Sequence, residues 1–398
     1  MRCLKVCAVI SEFDPFHNGH LVPLAEAIKQ GYTHTVAIMS GNWTQRGEPA
    51  MFSKYARAEA AVRCGFDLVL ELPAPYAISS SERFAFGGVS LAASLGCVEG
   101  LCFGSETADL ELICHTAQMM DKPNVKRRID ELTKLGESYP AARQKALEVF
   151  SPESIRLVSA PNDILGIDYI RAIKKLGSSI VPIAAKRRGV SHDSSKPSAH
   201  FASATYLREI IRNGGFMESY MPEDSITVFR RELADGHVSG GMDSLSSAVF
   251  TKIRLMNKQD LSDYPDCSSG LGDRIWNAAA NAGSIDDLYA LAKSKNFTMS
   301  RVKRAVAAIM LGIKSGTNLI PVPYAHILAI GKHGDDILKA ISSSSDLHIS
   351  DSTRRLADIN AECARFAEIE TRASELQAIS MITIPPMGSE SNNRLLHL

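Results

Sequence analysis

Two histidines, His17 and His20, stand three residues apart around an Asn-Gly pair in PFHNGHL, residues 15 to 21. At that spacing on a helical turn both imidazoles face one side. If the turn opens a helix, unpaired backbone N–H groups and the positive end of the helix dipole favour an anion there. A zinc centre needs a third and usually a fourth ligand. Glu12 and Asp14 are near in sequence, but neither holds a helix-face spacing to the pair. Taken alone, the residues leave three readings open: an anion site, a metal site and a plain turn. Much later, FASATYLR (201 to 208) sets Ser203 and Thr205 ahead of Arg208. Hydroxyls at a helix start with a guanidinium one turn on make a clamp for phosphate oxygens. Alone, the same run also reads as an N-cap followed by a surface arginine.

Both motifs depend on the elements that carry them. PFHNGHL follows LKVCAVI (4 to 10), an apolar, β-branched run with the pattern of a strand buried on both faces. Leu21, Leu24, Ala25 and Ile28 then recur at helical spacing, with Gly31 as a stop. TVAIMS (35 to 40) reads as a second strand, and a helix runs from a cap near Ser53 to Gly65. DLVLELP (67 to 73) is a third strand, residues 80 to 95 a helix, and EGLCF (99 to 103) a fourth strand ending on Gly104-Ser105-Glu106. SIVPIAA (179 to 185) is a further strand. This alternation predicts an α/β fold, a Rossmann-like parallel sheet with helices on both faces. Ligands bind such sheets beyond the carboxyl ends of the strands, where PFHNGH, SGNWTQRGEPA and GSE all fall.

From about residue 205 strand signals fade and helical patterns take over. The expected division is a catalytic domain over 1–220, a mainly α-helical region over 221–385 and a loosely ordered tail over 386–398. The 398 residues carry 44 basic and 44 acidic side chains, so no global field draws the chain to nucleic acid or anionic lipid. Any such partner is held by a local patch. Eight cysteines without CxxC or Cys/His spacing read as small buried hydrophobes in a reducing compartment. The N-terminus fits neither a signal peptide nor a membrane span, and the expected location is the cytoplasm.

PFHNGH behind an apolar first strand resembles the HxGH signature of the nucleotidyltransferase superfamily, and FASATYLR resembles its second motif, ISxTxxR. SGNWTQRGEPA (40 to 50), DLVLELPAPYA (67 to 77), CFGSE (102 to 106), PNDILGIDYIRAI (161 to 173) and the KRRG turn (186 to 189) narrow the likeness. Together they are similar to the bacterial tRNA(Met) cytidine acetate ligase family. The resemblance implies activation of acetate by ATP to acetyl-adenylate. The acetyl group then passes to N4 of the wobble cytidine of elongator tRNA(Met). It implies that His17 and His20 contact ATP phosphates and stabilise charge at the α-phosphate as pyrophosphate leaves, with Ser203, Thr205 and Arg208 clamping the β- and γ-phosphates.

The implied ATP site comprises Ile10, Ser11, Glu12, Phe13, Asp14, Pro15, Phe16, His17, Asn18, Gly19, His20, Leu21, Val22 and Pro23, with Gly104, Asn162, Arg187 and Arg188. No structural metal is expected, and magnesium is a candidate companion of ATP. Two positions depart from the family pattern. Asp14 stands where an amide is expected, as a candidate magnesium ligand or a charge that weakens ATP binding. Trp43 replaces a Phe as an apolar wall. Candidate tRNA contacts are Lys126, Arg127 and Arg128, the Lys186-Arg187-Arg188 run, and Arg301, Lys303 and Arg304, which sit opposite a buried stripe of Val302, Val306, Ile309 and Ile313. Two readings compete. One is another adenylyltransferase of the superfamily, which leaves the helical region without a task. The other is a nucleotide-binding RNA-interaction protein that has lost catalysis.

Overall fold

The computed structural model describes residues 4–187, 200–215, 217–388, 390 and 395–398. Five strands, β1 (Val6–Ser11), β2 (His34–Ser40), β3 (Leu68–Leu72), β4 (Val98–Ser105) and β5 (Val181–Lys186), form a parallel sheet in the order β5-β4-β1-β2-β3. Each overlaps an apolar run of the sequence. Alternate residues of β1 serve opposite faces: Val6, Ala8 and Ile10 join one core, Cys7 and Val9 the other. That is the two-fold period of a strand covered on both sides. The helices Ser81–Ser94 and Pro161–Lys175 cover the first face, Leu21–Lys29 and Lys54–Arg63 the second.

The chain runs from β1 outward to β2 and β3, then crosses back to β4 and β5. Strand order therefore reverses between β1 and β4, and a crevice opens beyond their carboxyl ends. PFHNGH leaves β1 at that point.

The sheet is larger than the sequence pattern indicated. β6 (Ala325–Ile330), in the region read as helical, pairs antiparallel with β3, and two short strands, β7 (Ile349–Ser350) and β8 (Leu396–His397), pair parallel with β6. AHILAI is six buried residues between PVPY and GKHG; without an alternation, so short an apolar run does not declare itself a strand. The tail, read as loosely ordered, ends in β8, with the Leu398 N–H donating to Ile330 O at 2.9 Å. The stripe on the first helix is also rotated from expectation. Pro23, Leu24 and Ala27 are buried, whereas Ile28 is 60% exposed.

The helices between Ser246 and Leu311 enclose a third core. Trp43 is buried in it and donates from Nε1 to Ala373 O at 3.0 Å. It pins the SGNWTQRGEPA loop to the helical region and is not a cleft wall. Among the described residues no helix is long and apolar enough to cross a membrane.

Candidate active site

The two imidazoles are locked by a reciprocal cap. His17 Nδ1 accepts the Gly19 N–H at 3.0 Å, and His20 Nδ1 accepts the His17 N–H at 3.1 Å. The rings stack with centroids 3.9 Å apart, and His20 also meets the edge of Phe13 at 4.9 Å. A nitrogen that accepts carries no proton, so each ring bears its proton on Nε2. Burial, followed by repulsion from Arg187 and from His17 whenever that ring also takes up a proton, pushes the His20 imidazole well below its ordinary range, so it is neutral at physiological pH. Asn18 anchors the turn to the second motif. Its backbone N–H donates to Tyr220 O at 2.9 Å and its side chain to His200 O at 3.0 Å.

The opposite wall comes from the ends of β4 and β5. Arg187 follows β5, donating its backbone N–H to Ser105 O at 2.9 Å and Nη1 to Asn162 Oδ1 at 3.3 Å. Burial lowers its guanidinium from the ordinary value without discharging it. Glu106 caps the helix Pro161–Lys175, accepting from Asn162 Nδ2 at 2.6 Å and from the Asp163 N–H at 2.9 Å. Asn162 thereby holds Arg187 in place. A Cβ at Gly104 would lie 3.3 Å from Arg187 Cγ, so glycine keeps this strand end open.

Of the Ile10 to Pro23 stretch, Ile10, Ser11, Glu12, Phe13, Asp14, His17, Gly19, His20 and Pro23 line the cleft, with Gly104, Asn162, Arg187 and Ser203. Pro15, Phe16, Asn18, Leu21 and Val22 do not line it; Phe16 is wholly buried in the core beneath. Arg188 lies outside the described residues. Val9, Gln45, Phe84, Phe103, Leu165, Tyr169 and Ala204 complete the wall and were not singled out in the sequence. The signal for Gln45 and Tyr169 was their place in SGNWTQRGEPA and PNDILGIDYIRAI. The Phe84, Phe103 and Leu165 side chains look like any core residue.

Asp14 is already engaged. Its Oδ1 accepts the Met51 N–H at 2.8 Å, and its Oδ2 lies 3.4 Å from Arg208 Nη1, which also donates to Asp14 O at 2.6 Å. The residue is 4% exposed, and both carboxylate oxygens have partners, among them the arginine of the second motif. Ser203 caps the helix Ala204–Arg212, accepting from the Tyr206 N–H at 3.1 Å. Thr205 Oγ1 sits 3.4 Å from Arg208 Nη2. Beneath the site, Arg57 is wholly buried and donates to the carbonyls of Glu12, Ser40, Gly41 and Phe52, tying the loops after β1 and β2 together.

The proposed RNA patches are mostly tied up in ion pairs. Lys126 pairs with Asp121, and Arg127 and Arg128 with Glu131, on the helix Pro123–Lys134. Arg301 and Arg304 share Asp266, while Lys303 reaches Glu48 at 2.6 Å. The stripe of Val302, Val306, Ile309 and Ile313 is buried as expected. Glu71, His326 and Glu390 lie close enough to hold a metal ion, but Lys54 Nζ is already 2.8 Å from both Glu71 oxygens and 2.6 Å from Glu390 Oε1.

Comparison with known proteins fits this geometry. Residues 4–390 match the family described as HIGH Nucleotidyl Transferase. A protein named tRNA(Met) cytidine acetate ligase from Caldanaerobacter subterraneus subsp. tengcongensis is 37% identical over 355 residues, covering 87% of this chain and 88% of the relative. One of the same name from Acetivibrio thermocellus is 32% identical over 394 residues, 94% of each chain. The crystal structure of apo Thermotoga maritima TmcAL aligns with a TM-score of 0.92 at 30% identity, over 99% of this chain and 100% of that one. The form bound with alpha-thio ATP aligns at 0.90 and 30% identity, over 97% of each chain.

Proposed function

The chain belongs to the HIGH nucleotidyltransferase family and, within it, to the tRNA(Met) cytidine acetate ligases, and from that premise we propose how its cleft performs the reaction. ATP binds between the His17–His20 turn and the β4 and β5 ends. A carboxylate oxygen of acetate attacks the α-phosphorus in line; the new P–O bond forms as the bond to the β-phosphate breaks and pyrophosphate departs. The N4 amine of the wobble cytidine of elongator tRNA(Met) then attacks the acyl carbon, AMP leaves, and the amine loses a proton. Neither step uses a protein nucleophile, so positioning and charge neutralisation carry both.

The observation that carries this reading is the reciprocal histidine cap. It uses both Nδ1 atoms on backbone N–H groups and so puts the proton of each ring on Nε2, the donor we assign to phosphate oxygen, where charge grows in the transition state. Arg187 supplies a cation on the facing wall, and Ser203, Thr205 and Arg208 hold the departing pyrophosphate. In the test, the protein is incubated with labelled acetate, ATP and total tRNA, omitting each in turn, and N4-acetylcytidine is measured. Product requires all three, and His20→Ala abolishes it while the fold survives; normal turnover by that variant would end the assignment.

A further inference from the structure

A second concavity of about 540 Å³ adjoins the cleft. One wall is the helix Ala204–Arg212, which turns Thr205, Arg208 and Arg212 toward it at i, i+3 and i+7. The other is the first turn of the helix Met299–Leu311, with Met299, Ser300 and Lys303. Arg46 and Glu48 form the floor. Gly47 between them packs so tightly on the helix that a Cβ would lie 2.6 Å from the Lys303 carbonyl carbon.

Arg46, Arg208, Arg212 and Lys303 line this groove with Glu48 and Glu209; Lys303 is paired with Glu48 and Arg208 with Asp14. Arg212 has no hydrogen-bond or ion-pair partner among the described residues. Groove and cleft share a wall through consecutive residues: Gln45 and Ala204 line the cleft, Arg46 and Thr205 the groove. A chain lying in the groove therefore passes the point where the acyl group is made.

We propose that this groove seats the phosphodiester backbone of the tRNA strand flanking the target cytidine, while the unstacked base enters the cleft. The inference rests on the tRNA-modifying reading above. It places the RNA contact on the groove that shares a wall with the cleft, not on Arg301 and Arg304 or on the helix Pro123–Lys134.

The test compares Arg212→Glu with Arg127→Glu, the latter 77% exposed and outside the groove. Each is assayed for acetate-dependent ATP–pyrophosphate exchange without RNA, for the tRNA KM, and for tRNA binding across a salt series. Arg212→Glu should raise the tRNA KM about tenfold and flatten the log–log salt slope by about one, with exchange within threefold of wild type. Arg127→Glu should leave the tRNA KM within twofold. An unchanged tRNA KM in Arg212→Glu, or an equal rise in Arg127→Glu, overturns the proposal. So does an equal loss of exchange, which assigns the groove to ATP. If wild type shows no acetate-dependent exchange, the enzymatic reading fails instead, and the binding series still decides the groove.

Discussion

The tautomers fixed at the HxGH turn can be separated by substitution, because each imidazole has two jobs on two different nitrogens. In His17→Asn, the new Oδ1 branches where Nδ1 did and can still accept the Gly19 N–H, now 3.0 Å from the ring nitrogen. Asn is among the best helix-capping residues. What Asn cannot supply is Nε2–H. Loss of one preorganised donor to a developing anion costs about 10²–10³ in kcat, or roughly 2.7–4 kcal/mol. Stability should fall only by the packing of the stacked ring, about 1 kcal/mol. His17→Ala removes the cap as well and should be about 1 kcal/mol less stable than the Asn variant. Acetate-dependent pyrophosphate exchange reads the first quantity and urea denaturation the second. Exchange by His17→Asn within tenfold of wild type would refute the assignment of Nε2 to phosphate. Equal stability of the Asn and Ala variants would refute the assignment of Nδ1 to the cap.

Two further substitutions probe the groups around the site. Asp14→Asn keeps an acceptor for the Met51 N–H but removes a negative charge from the cleft wall; relief of a repulsion of about 1 kcal/mol predicts an ATP KM about fivefold lower, and an unchanged or higher KM would show that the hold on Arg208 matters more than the charge. Lys54→Met strands Glu71 and Glu390 in the interior, so it should cost about 3–5 kcal/mol at neutral pH by urea denaturation. The pH dependence follows from Glu71. Burial would raise its carboxyl, but Lys54 and then His326 outweigh this and hold it at about 2. Its contribution in the wild type is therefore complete above its ordinary range and lost only as pH falls through about 2. Without Lys54 the stranded carboxylates take up protons on mild acidification, so the deficit of the variant should shrink between pH 7 and pH 5. A deficit below 1 kcal/mol, or one that does not change with pH, would show that the cluster is not held by the ammonium.

The histidine turn and the elements around it were legible in the sequence because their parts are local. His17 and His20 need only a strand before them and a helix after them, and β1 and the helix Leu21–Lys29 announce themselves by apolar runs. What stayed hidden depends on distant pairing. Asp14 reads as an exposed acid beside a phosphate site until the helix carrying Arg208 folds over it, 194 positions away in the chain. Trp43 reads as a cleft wall until the helical region closes around it. Basic runs show a further long-range pairing: Arg301 and Arg304 are close in sequence, and a single carboxylate from another loop, Asp266, pairs with both. Arg212 and Arg46 lie in no basic run and meet only in the groove. The same long-range contacts that concealed Asp14 tie the two motifs together. Arg208 is held by the backbone and side chain of the residue three before His17, and Asn18 is bonded to the segment that follows the second motif. Any shift of the helix Ala204–Arg212 must therefore move the histidine turn with it, so the two phosphate-binding motifs should open and close as one body.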